Sequence, residues 1–339
     1  MEQFHILADG VKKCIQDCSG PECCLFLSIY GYDVRLVFLG VEPPEIMKFN
    51  LGLFLKDTLP EWQETVYIGS TRLENLLDRS MKKEYHWPKK YYQNDDYHIR
   101  LPGDTKRIAV RYNRTSTTCI LFEEGEGVPL SYLNKPFINE IQWWLWDRFL
   151  VMHAAALGMN GNGALITSPS GQGKSTLALA GLLCGMEYVS EDYILIRRDS
   201  TPAGYPVFRT GYLTASSMEM LKEYKDHILF YAAEKGKYLL DLSAFEDQFR
   251  TAMDLKMILY PHITEDKEPS IIKADTTKAF TASLASTVKQ IKSRQNTGEA
   301  FLAHFRRLGS LPAYEMRLSP DVRRNALYLK QFLLEQDTR

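Results

Sequence analysis

The sequence predicts an α/β protein in two parts: a phosphate-loop α/β domain over 136–339, preceded by a smaller α+β domain over 1–135. Three observations predict it. The chain has 339 residues, roughly twice the ~150 residues of an average domain. Its first part reads as short β-type runs broken by turns, whereas from His153 onward β-type and helical runs alternate. A glycine-rich segment ending in Gly173-Lys174-Ser175 stands between a buried-strand pattern and an apolar-helix pattern.

Composition narrows the class. Hydrophobic residues are 45% and charged residues 24%, which excludes a chain that is mainly disordered or of low complexity. With 41 Lys+Arg against 42 Asp+Glu the net charge is −1, so nucleic acid is not an expected partner. No apolar run approaches the ~18 residues that a membrane span needs. Met1-Glu2-Gln3-Phe4-His5 shows no basic segment leading into an apolar one. The expectation is a cytoplasmic protein without a membrane partner. Cysteines stand at 14, 18, 23, 24, 119 and 184. A zinc site from the first four is the sharper reading, but paired C-x-x-C knuckles are absent and adjacent Cys23-Cys24 fit one metal poorly. Reduced, partly buried thiols are the expectation.

In chain order, Cys24–Tyr30 and Val34–Leu39 are apolar, β-rich runs around Gly31-Tyr32-Asp33, a hairpin pattern. Shorter β-type runs follow at Thr65–Ile68, Arg107–Tyr112 and Thr117–Phe122. The aromatic and charged stretch Lys82–Asp96 reads as a surface loop, and Glu123–Gly127 as a turn. From Pro136 to Met152, apolar residues recur at i, i+3, i+4, i+7 spacing and predict a helix. The tryptophans 143, 144 and 146 within it are expected in a core or interface rather than stacked on bases. Ala164–Thr167 predicts a buried strand and Lys174–Cys184 a helix. Tyr188-Val189 and Tyr193–Ile196 predict strands around an acidic turn. Lys237–Leu242 and Leu255–Tyr260 predict two more strands, and Lys278–Lys292 and Pro320–Leu334 two helices.

Ser168-Pro169-Ser170-Gly171-Gln172-Gly173-Lys174-Ser175-Thr176 matches the phosphate-loop pattern G-x-x-x-x-G-K-[ST] except at its first position, where Ser168 stands for glycine. Gly171 and Gly173 let the backbone aim several N–H groups at one anion. A helix beginning near Lys174 adds its positive dipole end. The Lys174 ammonium can reach the β- and γ-phosphates of a nucleotide, and the Ser175 hydroxyl can ligate a bridging magnesium ion. The segment from Ser170 through Thr176 is therefore the expected nucleotide-binding set.

Three features flank the loop. His153 precedes the strand, Glu191-Asp192 follow the helix, and Arg209 lies further on in Val207-Phe208-Arg209-Thr210-Gly211. In parallel α/β sheets, ligands sit beyond the carboxyl ends of strands. A strand ending at Ser190 would place both carboxylates beside the loop, one as proton acceptor and one holding magnesium or orienting a partner. Taken singly, each has a plainer reading: a solvated turn, a core histidine, a surface salt bridge.

His153-Ala-Ala-Ala, Ser170-Gly-Gln-Gly-Lys-Ser-Thr-Leu-Ala-Leu and Val189-Ser190-Glu191-Asp192-Tyr193 together resemble the HPr kinase/phosphorylase-like family, and within it the stand-alone HPr-kinase-related serine kinases. The resemblance runs from His153 to the C-terminus, where Pro312–Asp321 is similar to the strand and final helix of those relatives. It implies a compact kinase fold of the HPr kinase/phosphoenolpyruvate carboxykinase-like type, ATP and magnesium, and phosphorylation of serine on a small protein or peptide. By position it implies Lys174 and Ser175 at the phosphates and magnesium, His153 near the γ-phosphate, and the acidic pair as base and metal site. Asp192 ranks ahead of Glu191 as the base, because the family has Asp-Asp and only Asp192 keeps it. Where the bifunctional enzymes carry a signature resembling Glu-x-Arg-Gly, Val207 replaces the acid. This argues against phosphorylase activity, a second metal and the usual phosphocarrier substrate.

The expectation is thus an ATP- and magnesium-dependent kinase acting on a hydroxyl, foremost a serine of a peptide or small protein held partly by the N-terminal domain. Arg209, with Lys235 or Lys237, would stabilise charge or grip the acceptor. Alternatives are a kinase of a sugar or related alcohol and a nucleotide-binding module with little transferase activity. Relatives in the family are often oligomeric, so a homo-oligomer stays open.

Overall fold

The computed structural model describes residues 2–18, 22–73, 76, 91–101, 107–125, 128, 130–198, 201–233, 236–275, 281, 287 and 306–336. Lys82 to 90 of the aromatic stretch, 126 and 127 of the acidic turn, Glu234-Lys235, and the helix expected at 278–292 except for 281 and 287, lie outside them. The chain forms two compact units, Met1–Phe137 and Ile138–Arg339.

The first unit opens with helix α1 (Glu2–Asp17), which is absent from the expectations above. Its Leu7, Ala8 and Val11 are buried with Phe4, Cys14 and Ile15 packed against the same cluster, a stripe at helical spacing. Strands β1 (Glu22–Ile29) and β2 (Tyr32–Leu39) form the hairpin. The turn sits earlier than expected, on Tyr30 and Gly31 at φ 50° and 78°, with Ile29 paired to Tyr32. Two residues at positive φ match the twist of a two-residue hairpin loop. After helix α2 (Glu45–Asn50) come β3 (Leu55–Lys56), β4 (Glu64–Thr71), β5 (Tyr91–Gln93), β6 (Tyr97–Arg100), β7 (Arg107–Tyr112) and β8 (Thr117–Glu123), and helix α3 (Leu130–Leu133). Among the described residues the sheet order is β3-β1-β2-β4-β8-β7-β6-β5, with β2–β4 and β4–β8 parallel.

One buried charge ties this sheet together. Glu64 is fully buried on β4. It accepts hydrogen bonds from Arg111 of β7 (3.0 Å), from the Tyr32 hydroxyl of β2 (3.1 Å) and from Thr118 Oγ1 of β8 (2.6 Å). A buried carboxylate is tolerable only when paired and hydrogen-bonded, so each of these strands is held in one register. The cysteines are free thiols, and no grouping of His, Cys, Asp and Glu able to hold a metal occurs among the described residues.

The second unit departs from expectation at its start. The helix predicted over Pro136–Met152 is only α4 (Ile138–Trp144), and Phe149–His153 is strand β9. A continuous apolar run satisfies helical and strand templates alike. Here all of β9 is buried, which suits a strand covered on both faces, and Asp147-Arg148 are exposed at the break. Trp143 and Trp144 are buried. There follow β10 (Ala155–Met159), β11 (Asn162–Ile166), α5 (Lys174–Leu183), β12 (Glu187–Ser190), β13 (Tyr193–Arg197), β14 (Ala203–Pro206), β15 (Thr210–Thr214), α6 (Ala215–Met220), β16 (Ile228–Ala232), β17 (Lys237–Asp241), β18 (Met253–Ile263), β19 (Ser270–Lys273), β20 (Ala313–Leu318) and α7 (Val322–Gln336).

The main sheet runs β12-β10-β11-β18-β14-β13-β9, with β20 on β18 and β19 on β20; β15-β17-β16 form a smaller sheet. The main sheet is mixed, not parallel: only β11–β18 and β18–β20 are parallel pairs among the described residues. Alternation along β11 sends Ala164 and Ile166 to one core, shared with Leu177, Leu182, Ala326 and Leu329 of the helices α5 and α7, and Leu165 to the other. No helix among the described residues is long and apolar enough to cross a membrane.

His98 supplies a measurable pH dependence for the first unit. Burial, and then the Arg111 guanidinium, hold its imidazole down at about 4 against the ordinary 6.5. The unfolded chain therefore binds the proton more readily between those values, and stability falls as pH drops through that window. The urea midpoint of the N-terminal unit should fall on acidification from about pH 7 to about pH 4.5, by a free energy on the order of 2–3 kcal/mol. His98→Gln should flatten that dependence; an unchanged slope would refute the assignment.

Candidate active site

Strand directions decide where the chemistry gathers. β10 is antiparallel to both β11 and β12. The carboxyl ends of β11 and β12 therefore emerge at the same edge, although they are not neighbours. In register, Ile166 lies opposite Ala155 and Ser190 opposite Ala156. The loop that follows Ile166, the acidic pair that follows Ser190, and His153 just before β10 thus leave the sheet side by side. His153 is itself paired with Tyr193 across β9 and β13.

The segment Ser168–Thr176 wraps from β11 into α5. The N–H of Thr167 continues the β18 ladder by donating to Leu259 O (3.0 Å). Gly171 and Gly173 take φ of 84° and 83°, where a side chain is strained. A Cβ at Gly173 would also stand 2.6 Å from Leu318 Cδ1, whereas that of Gly171 would meet open space. Gly173 is the N-cap of α5, so the first-turn N–H groups of that helix face the loop without intrahelical partners.

A cavity of about 410 Å³ opens over this loop. Every residue from Ser170 to Thr176 lines it, together with His153 and Asp192. Lys174 is 7% exposed. Its Nζ stands 3.4 Å from His153 Nε2, and the same nitrogen stands 3.0 Å from Asp192 Oδ1. One imidazole nitrogen therefore lies between an ammonium and a carboxylate. Ser175 Oγ reaches the Glu191 carbonyl at 3.5 Å, which brings the hydroxyl to the acidic turn. Thr176 Oγ1 is 2.8 Å from Ser217 Oγ.

The two carboxylates part company. Asp192 lines the cavity, while Glu191 is 1% exposed and does not. Glu191 Oε1 accepts the Tyr212 N–H at 3.0 Å, linking the acidic turn to β15. Both carboxylates leave their mark on adjacent phenols. Burial first, then Glu191 and Asp192, push the Tyr188 hydroxyl up, and burial, then Asp192 and Glu191, do so for Tyr212.

Arg209 is not brought to the cavity. Its guanidinium pairs with exposed Glu246 at 3.1 Å and lies 6.0 Å from the Phe249 ring centroid. Lys237 does line the cavity. The sequence reading missed a wall from β15 and α6 (Tyr212, Thr214, Ser217) and an apolar wall from Ile263, Leu318, Pro320 and Val322. A signal for the first was present. Thr214 is the N-cap of α6 and accepts the Ser217 N–H, and Thr or Ser there is a helix-start mark.

The residues present suit a nucleotide with magnesium: a backbone cradle, a buried ammonium, and a hydroxyl and a carboxylate at one turn. Magnesium needs few protein ligands when phosphates and water complete its shell, and Ser175 and Asp192 are the two that would hold it.

No family model matches the chain, and no curated protein does. Solved structures that match include the Hpr(Ser) kinase/phosphatase from Coxiella burnetii, 13% identical, covering 56% of this chain and 96% of that chain, with a TM-score of 0.29. At that score the likeness assigns neither fold nor activity to this chain.

Glu191 acts here as a strut, and this is testable. Glu191→Ala leaves the buried Tyr212 N–H without its acceptor and should cost about 1–3 kcal/mol in unfolding free energy. Glu191→Gln keeps an oxygen there and should cost less. An alanine variant as stable as the wild type would remove the strut.

Proposed function

We propose that this chain is an ATP- and magnesium-dependent kinase that transfers the γ-phosphoryl group to a hydroxyl. One observation carries the reading: Asp192 is the carboxylate that lines the cavity among the described residues, and it meets His153, which in turn meets Lys174, at the mouth of the loop. A proton acceptor and a phosphate-neutralising cation thereby face the same space.

The chemistry assigned to each residue follows from its place. The N–H groups around Gly171–Ser175 and the Lys174 ammonium take the charge of the β- and γ-phosphates. Magnesium held by Ser175 and Asp192 would supply positive charge to the phosphates. The acceptor oxygen forms its bond to the γ-phosphorus as the bond from that phosphorus to the β-γ bridging oxygen breaks. The electron pair leaves with ADP, and the acceptor proton passes to Asp192. His153, 3.0 Å from that carboxylate, orients it. Ile263, 59% exposed at the cavity wall, offers with Pro320 and Val322 an apolar surface for the flat face of a base. The acceptor class proposed is a serine hydroxyl of a peptide or small protein.

The test uses ATP labelled at the γ-phosphorus. Lys174→Ala should weaken ATP binding by about 10- to 100-fold, the worth of a charged hydrogen bond. Asp192→Asn should lower the transfer rate at saturating ATP and magnesium by about 10²- to 10⁴-fold, a larger loss than the one in ATP affinity that follows from its place beside magnesium. Unchanged transfer in the Asp192 variant would refute the base; unchanged binding in the Lys174 variant would refute the phosphate cradle.

A further inference from the structure

Three basic residues were expected to stabilise charge or grip the acceptor. Arg209 is turned toward Glu246, Lys235 lies outside the described residues, and Lys237 lines the cavity. Lys237 opens β17 directly after Gly236, which takes φ 61°. Its backbone is paired with Thr214 of β15 on one side and Ala232 of β16 on the other, so the small sheet fixes where its side chain starts. That side chain is half-buried, and among the described residues no carboxylate pairs with its ammonium.

Charge singles this residue out. Lys174, Asp192 and Lys237 are the lysine and carboxylate side chains that line the cavity among the described residues, and no arginine does. Lys174 and Asp192 carry opposite charges and meet the same His153 nitrogen, so as a pair they add none. The net positive charge of the lining is therefore that of Lys237. A nucleoside triphosphate stays negative after one magnesium ion has bound it, and a half-buried ammonium attracts it more strongly than one in open water would.

Hydrogen bonds place this wall beside the phosphate loop. Thr214, the register partner of Lys237, accepts the Ser217 N–H at 3.2 Å, and the two hydroxyls stand 3.0 Å apart. Ser217 Oγ in turn meets Thr176 Oγ1 at 2.8 Å, and Thr176 lies in the first turn of α5. In a phosphate loop the backbone N–H groups cradle the α- and β-phosphates, while the loop lysine reaches the β- and γ-phosphates. Lys237 thus stands on the wall tied to the helix start, whereas Asp192 and His153 stand with Lys174.

We propose that Lys237 is a second phosphate-binding ammonium, which contacts the α- and β-phosphates of the bound nucleotide from the small sheet. This rests on the nucleotide part of the reading above and leaves the acceptor to other residues.

Binding of ADP, ATP and inorganic tripolyphosphate, each with magnesium, is measured by calorimetry on the full-length chain. Lys237→Met keeps the apolar stem and removes the charge. It should weaken all three by about tenfold, the lower end for a charged hydrogen bond, with the urea midpoint unchanged because the ammonium loses no protein partner. Lys237→Arg keeps the charge and should recover most of the affinity; Lys237→Gln serves if the methionine variant loses its fold. Unchanged binding of all three overturns the proposal, and a raised KM for a serine-containing peptide pool would then give the ammonium to the acceptor. A loss for ATP with ADP unchanged places Lys237 at the γ-phosphate and overturns it too. So does a loss for both nucleotides with tripolyphosphate unchanged, which places it at the nucleoside. The expected loss in a chain that transfers no phosphoryl group to any hydroxyl supports Lys237 and overturns the kinase. Absence of binding by the wild type overturns both.

Discussion

The site depends on one constraint of strand direction. β10 is antiparallel to both of its neighbours, so β11 and β12 point the same way and release their carboxyl ends at one edge. Everything chemical follows from this. The glycine-rich loop leaves after Ile166, the acidic turn after Ser190, and the register of β10 sets these two exits one residue apart. The chain enters β10 from His153 at that same edge. A parallel sheet would gather ligands there by the usual rule for strand ends. This mixed sheet achieves the same convergence by two antiparallel steps.

Within the acidic turn, burial sorts two adjacent carboxylates into different work. Consecutive residues in a turn point to different sides, so one of the pair must face the interior when the other faces the cavity. Glu191, with its longer side chain, reaches back to the N–H of Tyr212 and fastens β15 to the turn. Asp192 stays at the surface of the cavity, where it meets His153. β15 then carries Thr214 to the N-cap of α6, and Ser217 of that helix meets Thr176. The inward carboxylate thus positions the wall that β15 and α6 give the cavity.

The loop and its partners were legible because their chemistry is local. Gly-Lys-Ser between an apolar strand and an apolar helix is a short-range pattern, and His153, Asp192 and Lys174 meet as their spacing around it suggests. What was not legible depends on pairing between distant segments. Phe149–Met152 satisfies a helical period as well as a strand, and only partnership with Tyr193–Arg197 decides it. Asp192 ranks ahead of Glu191 only by resemblance, and which of the two faces the cavity is decided when the fold turns Glu191 inward. Arg209 stands near the motif in sequence, yet its neighbours on the surface, Glu246 and Phe249, take it elsewhere. The apolar wall comes from Ile263 and 318–322, more than eighty residues beyond the loop, a separation that no local window spans. In the first unit, the stripe that α1 packs into the core, Phe4, Leu7, Val11 and Cys14, stands at helical spacing in the sequence although no helix was expected there.

The loop's departure from the usual pattern has a backbone explanation. Glycine is demanded where φ is positive or where another group comes too close for a Cβ. Both conditions hold at Gly173, which is left-handed and stands against Leu318 of β20. The first holds at Gly171. Neither demand is seen at Ser168, which is absent from the residues of positive φ and is fully buried at the strand exit. Just before it, Thr167 still bonds to Leu259 of β18, so the chain is tied to the sheet up to the residue before Ser168. Because β20 is itself parallel to β18, the loop is held at both ends by neighbouring strands: through Thr167 at its start and against Leu318 at Gly173. Its curvature is set by those two anchors and two glycines, and the serine at 168 adds no backbone strain.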